Sequence, residues 1–155
     1  MKYIGNRTIR GVMLPNPGSL VVQDGTEKEI NVFDGRFDTG IVVTKFVVAT
    51  GDQSHQDFTA RLATEPDLET GVDGYWDWGD TRQIAWASVN GSTDLVVTDF
   101  FSLVARDNLV IEKLYFSVRT ASTSITQLNY YIECDIFELD SYQGSLAIVQ
   151  NSAQG

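Results

Sequence analysis

Short apolar stretches separated by turn-forming residues recur along this chain. Pro15-Asn16-Pro17-Gly18, Asp24-Gly25, Asp34-Gly35, Gly51-Asp52, Gly71, Asp73-Gly74 and Asn90-Gly91 mark the breaks, each with residue types suited to the backbone angles of tight turns. Between them, the β-branched run Ile41–Ala49 predicts a central strand. Phe58, Ala60 and Leu62 alternate with Asp57, Thr59 and Arg61, and Ile84, Trp86 and Ser88 with Gln83, Ala85 and Ala87, the period of two that a strand imposes on its faces. The same alternation places Leu114, Phe116 and Val118 on one face of a strand, and Leu128, Tyr130, Ile132, Cys134 and Ile136 on one face of another. A polar loop, Thr120 to Thr126, joins these two, so Leu109–Arg119 and Gln127–Glu138 are expected to pair as an antiparallel hairpin.

Other segments are less sharply marked. Asn90-Gly91 suggests a hairpin between Ile84–Val89 and Leu95–Val97. The apolar residues of Thr98–Val104 satisfy both helical and strand periods. Asp140 followed by Ser141-Tyr142-Gln143 and then Leu146, Ala147 and Val149 has the form of a capped helix over about 141–151. About seven or eight strands with so little helix are buried most economically as two packed antiparallel sheets. The expected fold is mainly β, an antiparallel β-sandwich with a short C-terminal helix, and its topology can be jelly-roll or immunoglobulin-like. Residues 1–18, with two prolines and few apolar residues, are expected to form an N-terminal arm that orders on a partner, leaving 19–155 as one domain.

A length of 155 residues suits a single core, which can fold without disulfides or metal at this size. The formal charge of −10 would repel a phosphate backbone, so no nucleic-acid partner is expected. No apolar run long enough for a signal peptide or a membrane span occurs near the start, which predicts a protein made in the cytoplasm with no membrane partner. Cys134 is the sole cysteine; its place on an apolar strand face points to a small core residue rather than a nucleophile.

Signs of catalysis are few. His55, the one histidine, falls in the polar stretch Gly51–Gln56, and no Gly-x-Ser-x-Gly frame accompanies it. None of the 13 glycines builds a phosphate-binding loop. No enzyme activity and no cofactor are therefore expected. The stretch Glu65–Asp80 is the most unusual, combining Tyr75, Trp76 and Trp78 with several carboxylates. Three readings compete for it. Calcium binding is one, although no register supplies both the glycine and the glutamate of an EF-hand loop. A platform for stacking a sugar ring is the second. The third lays the aromatics of a long connection over the sandwich or against a neighbouring subunit.

The stretch Leu128-Asn129-Tyr130-Tyr131-Ile132-Glu133-Cys134-Asp135-Ile136-Phe137-Glu138-Leu139-Asp140, with the helix and the Asn151-Ser152-Ala153-Gln154 tail after it, resembles the C-terminal part of small virion proteins of tailed phages. The resemblance covers under a third of the chain. It implies a β-sandwich that decorates or cements a capsid, often as a homotrimer on the major capsid protein, without catalytic residues and located on the virion. Tyr75, Trp76 and Trp78 are then candidate subunit contacts. The alternative from another class is a carbohydrate-binding module of a phage tail or fibre that uses the same three residues as its ligand contact.

Overall fold

The structure is a computed structural model that describes residues 1–51, 57–68, 75–91 and 98–139. These residues form eight strands: β1 (Lys2–Met13), β2 (Glu27–Asn31), β3 (Thr39–Thr50), β4 (Phe58–Ala63), β5 (Gln83–Gly91), β6 (Thr98–Val104), β7 (Lys113–Arg119) and β8 (Leu128–Glu138). They make two antiparallel sheets, one of three strands in the order β1-β8-β3 and one of five in the order β2-β7-β4-β5-β6. The architecture is mainly β and sandwich-like, as the alternation predicts. The helix expected over 141–151 lies outside the described residues.

Alternation fills the core. Phe46 and Val48 from β3, Leu128, Tyr130, Ile132 and Cys134 from β8, Phe58, Ala60 and Leu62 from β4, and Leu114, Phe116 and Val118 from β7 are all buried in one cluster. A β-bulge in β3 between Val43 and Lys45 shifts its register against β8, so that Val43 and Phe46, three residues apart, both face inward and both are fully buried. Thr98–Val104, ambiguous by period, is a strand paired with β5. The partner that Asn90-Gly91 suggests for Ile84–Val89, Leu95–Val97, lies outside the described residues.

The expected hairpin of Leu109–Arg119 with Gln127–Glu138 is not formed. β7 pairs with β2 and β4 in one sheet, whereas β8 pairs with β1 and β3 in the other. The segment between them crosses from sheet to sheet and carries Ile125 into the core, where its carbonyl accepts a hydrogen bond from Val22 N–H at 2.7 Å. The 11-residue β8 is paired along its length by β1 and β3, of 12 residues each, while the 7-residue β7 lies between the 5 residues of β2 and the 6 of β4. β3, expected to be central, ends its sheet instead. Its inward residues Ile41, Val43 and Val48 are nevertheless buried, and its far side meets β6 through a hydrogen bond from the Ser102 hydroxyl to the Phe46 carbonyl, and the 105–112 segment through the Ile41–Val110 bridge.

Two strands carry almost no hydrophobic signal. In β2 only Ile30 is buried. The stretch 1–18, expected to be an arm that does little for the core, sends Met13 into it and packs Ile9 against it, and residues 2–13 run along β8 as an edge strand from Lys2–Glu138 to Met13–Leu128. Edge strands exposed on both faces lack the alternation by which strands are read.

Candidate functional site

Residues 64–82 connect β4 to β5, and the described part, 64–68 and 75–82, lies against the outer face of the five-stranded sheet. The pairing register sets that face: Arg61 on β4 lies beside Ser117 of β7 and Trp86 of β5, and Trp86 lies beside Leu103 of β6. Tyr75 meets it at β4 and β7, Trp76 at β4 and β6, and Trp78 at β5 and β6.

Tyr75 sits over Arg61. The Arg61 guanidinium is 4.2 Å from the Tyr75 ring centre, donates to the Tyr75 carbonyl at 2.7 Å and donates to the Leu68 carbonyl at 2.9 Å. One buried cation thus holds both ends of the segment that includes residues 69–74. A forked, planar donor suits two divergent carbonyls. Burial pulls the Arg61 pKa below its ordinary value, with Tyr75 and Glu27 acting in the opposite sense. The Tyr75 hydroxyl is hydrogen-bonded to Ser117 Oγ, and burial pushes the phenol up to about 12.

That shift has a measurable consequence. The folded state holds the Tyr75 proton more tightly than the unfolded chain, so the contribution to stability is complete below pH 10 and is lost as pH rises towards 12. We expect Tyr75→Phe to remove an alkaline loss of about 2 kcal/mol in that window, at the cost of about 1 kcal/mol at neutral pH for the lost hydrogen bond. Urea denaturation at pH 7 and at intervals up to about pH 12 checks both effects. Parallel curves for wild type and variant would show that the phenol does not titrate with folding. Cys134 is also buried and its thiol is pushed up to about 11 by burial, which leaves little thiolate for nucleophilic chemistry and affects both proteins alike.

Trp76 donates its indole N–H to the Ala60 carbonyl at 3.2 Å and packs on Phe101 with ring centres 5.4 Å apart. Trp78 lies parallel to Phe101, 6.4 Å away at an interplanar angle of 9°, and 6.0 Å from Trp86. Of the three candidates it alone is largely exposed, at 60%. The aromatics of the long connection therefore lie over the sheet, with Tyr75 and Trp76 committed to partners within the chain and Trp78 at the surface.

Among the described acids of the stretch, Glu65 and Asp80 are engaged by Arg82 and Asp77 by Gly79 N–H. Arg82 is held by Asp80 at 2.7 Å and approached by Glu65 at 3.7 Å, and this pairing draws the Asp80 carboxyl below its usual range. Glu27, from β2, accepts from the Asp67 backbone N–H at 3.2 Å; burial raises its pKa. Among the described residues no group of three or more His, Cys, Asp or Glu side chains is placed to hold a metal ion. His55 lies outside the described residues, as do Glu69 and Asp73. Among the described residues no helix is long and apolar enough to cross a membrane.

Sequence reasoning missed Arg61 and Gln83. Arg61 reads as the solvent face of an alternating strand, but it is 3% exposed. Gln83 is buried too: its side-chain oxygen accepts from Asp77 N–H at 2.9 Å and from the Trp86 indole at 3.0 Å. The available signal was three large aromatics within four residues next to a strand with no other cover for its polar face. No family model, curated protein or solved structure matches this chain.

Proposed function

We propose that the chain is a virion structural protein: a jelly-roll domain that binds the outside of a phage head as a homo-oligomer, a trimer, stabilises the shell and catalyses nothing. The order of strand pairing carries this reading. β1 pairs with β8, β2 with β7 and β4 with β5, and the Ser102 hydroxyl ties β6 to β3. First with last, second with second-last and so inward is the order obtained by wrapping a long hairpin into two sheets, the jelly roll used by capsid and lectin domains. The step from fold to role is by analogy, and two surface features fit it.

Among the described residues β1 has a neighbour on one side only, and unpaired strand edges are templates for association. Lys2, Arg7 and Arg10 lie on it, and no acidic residue precedes Asp24, although 21 acidic residues against 11 basic ones occupy the whole chain. The edge strand itself carries three cations and no acid on an acidic protein, suited to steering a neighbour's acidic surface into register. Beside it, Arg10, Val12, Val47, Ala49, Asn129 and Tyr131 line an open hollow of about 530 Å³ on the outer face of the three-stranded sheet. Val47 is 40% exposed there.

Deleting residues 1–18 would not test attachment cleanly, because β8 would lose a partner along its whole length. Reversing Lys2 and Arg10 to glutamate leaves the backbone ladder in place. We expect the wild-type protein to sediment as an oligomer and to rebind phage particles stripped of their surface proteins. The double variant should rebind at least about tenfold more weakly, with its melting temperature lowered by no more than a few degrees. A stable monomer that leaves such particles bare overturns the proposal.

A further inference from the structure

A cleft of about 210 Å³ opens where the 77–82 turn meets the 105–109 segment; Thr64, Trp78, Asp80, Gln83, Trp86 and Asp107 are among its walls. It is smaller than the sites that hold drug-sized ligands.

Two of its polar groups are buried without a partner: the Gln83 side-chain nitrogen and the Thr64 hydroxyl. The orientation of the Gln83 amide is not free. Both groups beside its oxygen are donors, a backbone N–H and an indole N–H, so oxygen must face them and the NH₂ must face away. Buried groups of this kind are almost always satisfied, so whatever occupies the cleft must accept hydrogen bonds from the amide. Water can do that, but the remaining walls ask for more. Trp78, 60% exposed and in ring contact with the buried Trp86, offers an indole face at the mouth, and Asp107 adds a carboxylate beside it, while Asp80 is already held by Arg82. An occupant that satisfies them all has an apolar face and a rim of hydroxyls able both to donate and to accept.

We propose that this cleft binds one pyranose residue of a glycan. The ring lies on Trp78, its hydroxyls accept from the Gln83 NH₂ and exchange hydrogen bonds with the Thr64 hydroxyl, and Asp107 accepts a hydrogen bond from a hydroxyl at the rim. Tyr75 and Trp76, already used to fasten the 64–82 connection, play no part. The site differs from the basic edge of β1, and its test needs no particle, so the two proposals stand or fall separately.

The probes are the methyl glycosides of glucose, galactose, mannose and N-acetylglucosamine, titrated into the full-length protein and read by saturation-transfer NMR and tryptophan fluorescence. At least one should bind with a dissociation constant of about 1 mM and quench fluorescence. Trp78→Ala, at an exposed position, should weaken binding at least about tenfold. Thr64→Val removes an unpartnered hydroxyl without changing shape, so it should weaken binding about threefold while the melting temperature holds or rises. Absence of binding by every glycoside up to about 50 mM overturns the proposal. Full-strength binding retained by either variant does the same.

Discussion

Phe46→Ala is expected to be the most damaging single truncation, costing about 4 kcal/mol and lowering the melting temperature by roughly 12 °C in a domain of this size. Phe46 is fully buried and its ring meets Phe116 edge to face, 5.9 Å away at 79°, across the gap between the sheets. Phe116 in turn packs on Tyr130 at 5.2 Å, and the Tyr130 ring lies under the Lys28 ammonium at 5.4 Å. Lys28 then closes the open side between β1 and β2 by donating to the Val12 carbonyl at 3.0 Å. Four side chains from β3, β7, β8 and β2 thus tie the two sheets together in series. Removing the first leaves a cavity that strands paired on their flanks cannot collapse to fill. Phe100→Ala, at 68% exposure, should change stability by less than about 0.5 kcal/mol. Urea denaturation of both variants checks the contrast, and a loss below about 1.5 kcal/mol for Phe46→Ala would mean that the core repacks around the missing ring.

The inward residues of that chain were legible in the sequence, because a strand buried on one face must repeat its apolar residues at every second position. Phe116 and Tyr130 follow that rule in β7 and β8. Sheet membership was not legible, since alternation says which face of a strand is buried and nothing about which strand lies beside it. The polar loop after Arg119 therefore looked like a hairpin turn, while Ile125, a lone apolar residue within it, was the sign that the segment passes through the core. β1 and β2 escaped notice for the opposite reason: edges exposed to solvent carry lysine, arginine and glutamate where an inner strand would carry valine. At the candidate site, the aromatic group was visible as Tyr75, Trp76 and Trp78, but its division of labour was not. Which indole fastens the connection and which is left at the surface depends on the register of β4, β5 and β6, and that register brings Arg61, Trp86 and Phe101 into reach only after the sheet has formed.

Arg61→Ala is expected to cost about 3 kcal/mol and to free the 64–82 connection from the sheet. The side chain satisfies two carbonyls, from Leu68 and Tyr75, and its guanidinium covers the Tyr75 ring. Truncation removes about 1 kcal/mol of cation–π attraction, leaves two carbonyls short of donors and opens a void beneath the ring. Lysine keeps the charge but not the fork: a single ammonium cannot reach two carbonyls on separate sides while lying flat on the ring, so Arg61→Lys should recover less than half of the loss. The neutral Arg61→Met is the informative control. It fills much of the same volume and removes a buried cation whose own desolvation is unfavourable, as its lowered pKa indicates, so it should be milder than alanine in melting experiments. Methionine cannot, however, hold the Leu68 and Tyr75 carbonyls, and limited proteolysis between residues 64 and 82 should be as fast in Arg61→Met as in Arg61→Ala. Stability and local protection would then separate, with the core melting close to wild type while the connection is cut. If both substitutions leave the connection as resistant as in the wild-type protein, Trp76 on Phe101 and Trp78 on Trp86 are sufficient to hold it, and Arg61 is only a buried charge that the fold tolerates.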